Sequence, residues 1–297
     1  MISGSSEWGG LAALAWDTFG GDDPLRDYEF IKAIIERNHG PALEIGCGTG
    51  RLLLRFLAAG LEVDGVDYSA EMIAICRSKA AQQGLSPTLY EQAAQNLDLP
   101  RRYRTIYIPC GTLGLITDRQ QAIEALRRCY AHLEPGGELL LHLFWVFAAR
   151  EPLADDPLSA SSEWKLFYKT TLPDGREIVQ YSRQSADGDW KLFHHAVLAD
   201  GRDLVVQLRR IRLNRAEQVI LQEHRYRLMQ GEQVVREEIH PAHERWYYKH
   251  EMALLLEGIG FGDIRVKGDF SDEDFADHHV AMVFIARKPS PDEEQIR

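Results

Sequence analysis

The amino-acid sequence predicts an α/β fold: a parallel sheet covered by helices on both faces, with a second, antiparallel β-sheet inserted late in the chain. Three observations carry this. From about residue 41 short apolar runs alternate with helical patterns, the signature of βαβ units. After Pro152 the rhythm changes to β-prone runs separated by turn signals, and helical spacing returns at 249.

Taken in order, the apolar runs at 42–45, 62–66, 105–108 and 138–144 read as strands, with a weaker candidate at 88–91. Between them 52–59, 70–83 and 119–132 read as helices, the last placing Ile123, Leu126, Tyr130 and Leu133 at helical spacing. The turn Glu134-Pro135-Gly136-Gly137 stops that helix, because proline cannot continue it and glycine permits positive φ. A meander follows at 164–172, 177–183, 191–198, 204–213, 219–229 and 234–239, with turns at 173–175, 187–189 and 200–201. A helix at 249–257, a strand at 263–267 and an apolar run at 280–286 resume the main sheet, and 289–297 is a polar tail. The expected domains are therefore 41–150 with 241–288 as a ligand-binding α/β domain, 151–240 as the inserted sheet, and 1–40 as a helical N-terminal segment.

The 297 residues are 45% hydrophobic and carry a formal net charge of -11, which excludes disorder and disfavours broad capture of nucleic acid or anionic membrane. Small-molecule chemistry is favoured instead. Cys47, Cys76, Cys110 and Cys129 form no CxxC pair, so neither a zinc site nor a disulfide framework is expected. The N-terminus has no signal-peptide pattern and the longest apolar stretch, 139–149, is too short to cross a bilayer. A cytoplasmic location is the expectation.

The strongest local signal is LEIGCGTGR, residues 43–51, where a strand runs into a loop bearing Gly46, Gly48 and Gly50 and then into a helix. Glycines let the backbone approach a ligand closely, and the helix start offers free N–H groups. Arg51 occupies the position where a nicotinamide fingerprint wants glycine, and no Gly-Lys-Ser/Thr follows. Glu44 at the strand end would repel a phosphate and attract a ligand bearing ammonium and sulfonium charges.

On these residues the chain resembles the class I S-adenosylmethionine-dependent methyltransferases of small-molecule type, which implies a Rossmann-like methyltransferase sheet and S-adenosyl-L-methionine as cofactor. Their first motif is an acidic residue followed by GxGxG, here Glu44, Gly46, Cys47, Gly48 and Gly50. The resemblance places the ribose hydroxyls on Asp67, at the end of the second strand, and adenine near Tyr68 and Met72. It also brings the 92–95 loop to the adenine, with Ala93 where the family often has aspartate. Recognition of the adenine amino group then falls to Gln92, to Gln95, or to the backbone around Ala93 and Ala94. Residues 106–116, with Cys110, resemble the segment beside the transferred methyl, and 133–144 and 245–266 resemble the last motifs.

The resemblance further implies a lid in the N-terminal segment built on Trp8, Trp16, Phe19, Tyr28 and Phe30, although simple helix packing explains these aromatics equally well. His142, near the end of the fifth strand, is the candidate catalytic residue, with a buried structural histidine as the plainer reading. Thr112, Trp145, Arg245 and Tyr247 are the candidate acceptor contacts, with Trp246 beside them and the inserted sheet roofing the crevice. His240 with His243, and His278 with His279, lack companion ligands, so no metal is expected. The arginines of 208–215 read as a solvated face.

These readings converge on methyl transfer to nitrogen or oxygen of a small-molecule acceptor, without nucleic-acid or membrane partners. A homodimer through the inserted sheet's edge is also expected. The alternative is a non-catalytic protein of the same fold that holds S-adenosylmethionine or S-adenosylhomocysteine. A nicotinamide oxidoreductase shares the fold class but lacks the glycine at 51.

Overall fold

The computed structural model describes residues 8–19, 27–145, 165–171, 177–182 and 190–291. The chain divides into two compact units, one comprising Met1–Asp22 with Arg150–Glu244 and the other Asp23–Ala149 with Arg245–Arg297. The first opens with α1 (Leu11–Phe19). The second begins with α2 (Asp27–Asn38) and continues through β1 (Ala42–Ile45), α3 (Leu53–Ala58), β2 (Val63–Asp67), α4 (Ala70–Gln82) and β3 (Leu89–Glu91) to β4 (Tyr103–Ile108), α5 (Arg119–His132) and β5 (Leu133–Phe144). The chain then forms β6 (Lys165–Thr171), β7 (Glu177–Ser182), β8 (Lys191–Val197), β9 (Asp203–Asn214), β10 (Val219–Gln230) and β11 (Gln233–Pro241) of the first unit. The two-residue β12 (Glu244–Arg245) spans the boundary, and α6 (Lys249–Ile259), β13 (Gly262–Gly268) and β14 (Ala281–Arg287) complete the second unit.

The second unit is built on a seven-stranded sheet in the order β13-β14-β5-β4-β1-β2-β3. Strands β1 to β5 pair in parallel, whereas β14 runs antiparallel to both β5 and β13. The sheet is therefore mixed rather than wholly parallel, because β13 and β14 are joined by a short connection and not by a crossover helix. Strand order reverses between β1 and β4, the switch point beside which open α/β sheets bind ligands.

Side-chain alternation divides each central strand between two cores. Leu43, Ile45, Ile106, Ile108, Leu139, Leu141, Met282 and Phe284 share one buried cluster with Leu126 of α5 and Met252 and Leu256 of α6. Ala42, Tyr107, Leu140, Val283 and Ile285 share the other with Ile31 and Ile35 of α2, Phe56 of α3 and Ile73 of α4. Both faces are thus covered by helices. The period of two also places Glu44, Tyr107 and His142 on the α2–α3–α4 side.

One turn differs from its sequence reading. Tyr103 pairs with Leu133 and Thr105 with Glu138, so 134–137 bulge out of an early-starting β5 rather than preceding it. Gly136, at φ +76, supplies the bend, and the bulge is held by Gly136 N–H donating to Lys288 O and Lys288 N–H to Gly137 O, each 2.8 Å.

The first unit is an antiparallel meander in the order β11-β10-β9-β8-β7-β6. Helix α1 buries Leu11, Ala12 and Ala15 against Leu204, Val206, Tyr226 and Leu228 of that sheet. Its first turn is anchored by Glu238, which accepts the Leu11 N–H at 2.9 Å. Residues 1–40 therefore divide between the units. Trp8 packs edge-on against Trp16, and Phe19 stacks on His194 at 4.6 Å, in the first unit. Tyr28 stacks on Phe56 and Phe30 packs against Phe270 in the second. The turns expected at 173–175 and 187–189, and the tail beyond 291, lie outside the described residues. Among the described residues no helix is long and apolar enough to cross a membrane.

Candidate functional site

The glycine loop leaves β1 at the switch point. Gly46 and Cys47 donate backbone N–H groups to Val66 O at 2.8 and 3.0 Å, which ties the loop to the end of β2. Gly46 has φ +74, and a Cβ there would stand 2.5 Å from Thr112 Cγ2; one at Gly50, φ +87, would stand 2.7 Å from Cys76 Sγ. Both positions therefore require glycine on two counts, conformation and space. The neighbouring turn is also left-handed, with Cys110 at φ +53 and Gly111 at φ +68, and Thr112 closes it by donating its hydroxyl to Pro109 O at 2.7 Å.

Asp67, the last residue of β2, is 8% exposed and braces the loop with both oxygens. Oδ2 accepts Gly48 N–H and Oδ1 accepts Ser69 N–H, each at 2.9 Å. Burial pushes its pKa above the ordinary carboxylate value, and these backbone N–H groups partly offset the rise. Backbone N–H groups of Gly48, Tyr68 and Ser69 take up part of its acceptor capacity, and the remainder is left for a ligand's hydroxyl groups.

Glu44 lies opposite Tyr107 in the β1·β4 register and accepts the Tyr107 hydroxyl at 2.9 Å. Burial pushes its pKa up to about 8, against the opposing effects of the Tyr107 hydrogen bond and of Arg51. Two buried carboxylates at adjacent strand ends are costly without cationic or hydrogen-bonding partners. The pair is thus suited to a cation that carries hydroxyl groups.

Arg51 makes a paired contact with Asp27 of α2, Nη1 lying 3.0 Å from Oδ1 while Nη2 bonds Oδ2. Nη2 also donates to Cys110 Sγ at 3.1 Å. Asp27 is buried and Arg51 largely so, and the pair clamps α2, the glycine loop and the Cys110 turn together. The sequence reading missed this clamp and the Tyr107 bond, since the partners stand 24 and 63 residues apart. Alternation along β4 could have placed Tyr107 beside Glu44, but nothing local marks Asp27.

Of the other expected cofactor residues, Tyr68 is 46% exposed beside Asp67, and Met72 is buried with its N–H capped by Ser69 Oγ at 3.3 Å. Cys47 is buried and its thiol pKa is pushed up; burial likewise raises Cys110 to about 11, so both stay protonated. Gln92 folds back on its own loop through both backbone groups of Asp98, 3.1 Å to O and 2.9 Å from N. Gln95 donates to Gln121 at 3.3 Å. Both amides are engaged within the protein, leaving the backbone of Ala93 and Ala94, at the start of the short 3-10 turn Ala94–Asn96.

His142 is buried, and neither ring nitrogen has a hydrogen-bond partner among the described residues. Its ring packs edge-on against Phe144 at 4.6 Å and Phe270 at 4.8 Å, and burial lowers its pKa to about 4. Trp145 contacts the rings of Tyr248 and Phe275. Arg245 is buried and donates from Nε to Thr117 O at 2.8 Å, while Tyr247 sits in the α5–α6 core with its hydroxyl making no bond among the described residues. These two brace the protein as it stands. Arg209, from the run at 208–215, pairs with Glu223 on β10 and lies over the Trp190 ring at 4.6 Å.

In the first unit the sequence reading also missed a row of imidazoles. His224 Nδ1 lies 3.1 Å from the Tyr226 hydroxyl, His240 Nε2 lies 3.1 Å from Glu238 Oε2, and burial lowers both His194 and His224 to about 4. Strand alternation was the available signal, but it carries no information about which strands become neighbours.

Comparison with known proteins places the chain among methyltransferases in sequence and fold. Residues 42–137 match a family model described as a methyltransferase domain. The chain is 28% identical over 129 residues to the dTDP-3-amino-3,6-dideoxy-alpha-D-glucopyranose N,N-dimethyltransferase of Streptomyces fradiae, covering 42% of this chain and 49% of that protein. It is 26% identical over 144 residues to the ubiquinone biosynthesis O-methyltransferase of Xanthomonas axonopodis pv. citri, covering 46% and 59%. The chain spans about half the length of the curated relatives it matches. In three dimensions it resembles an S-adenosylmethionine-dependent methyltransferase from Clostridium acetobutylicum ATCC 824 with a TM-score of 0.66 at 16% identity, over 94% of this chain and 98% of that one. At that identity the likeness shows the fold.

Proposed function

We propose that the protein, whose residues 42–137 match a methyltransferase domain, is a class I S-adenosylmethionine-dependent methyltransferase that transfers a methyl group to nitrogen or oxygen of a small molecule. The observation that carries the reading is Asp67, which holds the glycine loop through Gly48 while keeping lone pairs free at the end of β2. Hydroxyls of a ribose would complete that carboxylate, and Glu44 would balance the charge of a cationic amino acid group. The loop of Gly46, Cys47, Gly48 and Gly50 would lie against the cofactor's backbone-facing edge, with Tyr68, Met72, Ala93, Ala94 and Gln95 around the base and Cys110 beside the reacting end.

S-adenosylmethionine, when bound, supplies a methyl group on a sulfonium whose charge disappears on transfer, so no acid is needed. The protein's task is then to align the acceptor and exclude water. Thr112 and Trp145 are the proposed acceptor contacts; Arg245 and Tyr247, expected there too, are buried and would reach an acceptor only by leaving the positions described above. His142, whose nitrogens are unengaged among the described residues, is the proposed base for a hydroxyl acceptor, although burial, which lowers its pKa to about 4, weakens it as a proton acceptor. An amine delivered in its neutral form needs no such base.

Support for nitrogen and oxygen together comes from the relatives, one named for N,N-dimethylation of an amino sugar nucleotide and another for O-methylation in ubiquinone biosynthesis. We read 41–150 with 241–288 as the cofactor-binding domain and 151–240 as an insertion, with β11, whose Val234, Val235 and Ile239 are exposed, as the edge of a homodimer. Light scattering tests the dimer.

A non-catalytic binding protein is the second reading. It is favoured by the engaged amides of Gln92 and Gln95, which leave adenine to the backbone. Methyl-labelled S-adenosylmethionine incubated with amines, amino sugars and phenols separates the two. Label in product supports transfer, and saturable binding with no label in any acceptor supports the second reading.

A further inference from the structure

We infer that Glu273, His278 and His279 form a binding site for a borderline divalent transition-metal ion, of which zinc is the representative. One ligand atom from each of the three lies within 4.8 Å of the others. Two imidazoles and a carboxylate are the donor set that suits zinc, cobalt or nickel, and they disfavour magnesium and calcium, which want oxygen alone. The sequence shows the two histidines without a companion; the β13–β14 connection folds Glu273 back to them.

The site is prepared before any ion arrives. His279 is only 4% exposed, and its ring fills the space beside Gly268, where a Cβ would stand 2.3 Å from ring atoms. Only glycine at 268 lets the ring lie there. His279 Nδ1 lies 3.2 Å from Ala276 O, and a proton donated to that carbonyl leaves the Nε2 lone pair free. Nε2 lies 3.6 Å from Glu273 Oε2. A backbone carbonyl behind a ligating imidazole is the usual device for fixing its tautomer and orientation. The Ala276 N–H donates to the same Nδ1 at 3.0 Å; with that bond made the neutral ring carries its proton on Nε2, so coordination at Nε2 requires the proton to move to Nδ1 and the Ala276 N–H bond to be given up.

The rest of the connection is braced. Asp269 Oδ1 accepts the N–H groups of Val280 and Ala281 at 2.9 and 2.8 Å, and Ser271 Oγ accepts Glu273 N–H at 3.2 Å. Lys267 is paired with Asp274 at 2.8 Å, so its charge is partly balanced before it can oppose a cation. His278 and Glu273 are exposed, so the ion can enter directly, and three protein ligands leave its remaining positions to water. Bound there, it would tie together the segment whose Phe270 packs on His142.

The test uses the full chain without a histidine tag, stripped with chelator and titrated with zinc chloride by calorimetry and with cobalt chloride by visible absorption. One ion per chain is expected, with zinc displacing cobalt and magnesium failing to do so. Glu273→Ala and His278→Ala change exposed side chains and keep the fold, and each is expected to weaken the site by about tenfold or more, or abolish it. Absence of stoichiometric binding overturns the inference. Binding that survives both substitutions also overturns it, since the ion then resides on other histidines. Neither result depends on methyl transfer.

Discussion

Replacing Asp67 by alanine removes the group on which the cofactor reading rests, and the structure sets its cost in two parts. In the cofactor-free protein the carboxylate accepts two backbone N–H groups at 2.9 Å, so Gly48 and Ser69 lose their partner. Hydrogen bonds to a charged group contribute about 1.5–3 kcal/mol each, offset here by the removal of a buried carboxylate, so a net destabilisation of about 1–3 kcal/mol is expected. For the cofactor, losing charge-assisted bonds from ribose hydroxyls costs on the order of 1.4 kcal/mol or more, at least about tenfold in affinity. Calorimetric titration with S-adenosylmethionine, well below the variant's melting temperature, reads the second part, and thermal denaturation reads the first. Asp67→Asn keeps one acceptor oxygen, so it should lose less stability while still losing affinity. A folded Asp67→Ala protein that binds the cofactor as tightly as the parent would refute the placement of the ribose.

Other consequences follow from the same geometry. Gly46→Ala meets Thr112 Cγ2 at 2.5 Å and a φ of +74, so a loss of roughly 2 kcal/mol in denaturant unfolding is expected; Thr112→Ala in the same chain should recover the steric part and leave the conformational part. Arg51→Ala removes the cation from the buried Asp27 carboxylate and should destabilise the protein by up to about 3–5 kcal/mol, whereas loss within the range of a surface ion pair would mean that the clamp is slack. Glu44 has a folded pKa raised to about 8 from an ordinary 4.5, so the native state binds the extra proton and stability falls as pH rises across that window. Glu44→Gln should flatten this slope in melting temperature against pH, and calorimetry of the parent should show cofactor affinity rising toward about pH 8 as the carboxylate ionises. A parent curve as flat as the variant's would contradict the burial of Glu44.

The sheet, its helices and the meander were legible because period-two and period-3.6 patterns are local. The glycine loop was legible too, since Gly46, Gly48 and Gly50 stand within five residues of the end of β1. What pairing decides was hidden. The antiparallel direction of β14, the meeting of Glu44 with Tyr107 and the Asp27–Arg51 clamp all depend on which segments become neighbours. His142 was correctly placed on β5, but its packing between Phe144 and Phe270 comes from the β13–β14 connection, where Phe270 adopts φ +53 without being glycine. The glycine at 268 gave no hint that it makes room for His279.

Two buried carboxylates flanking a glycine loop should select a cationic nucleoside over an anionic one. Competitive calorimetry addresses it directly, with S-adenosylmethionine, S-adenosylhomocysteine, NADH and ATP each titrated into the cofactor-free protein. One saturable site for the adenosyl ligands, from which neither NADH nor ATP displaces them, is expected; heat from NADH or ATP alone, with none from S-adenosylmethionine, would overturn this selectivity.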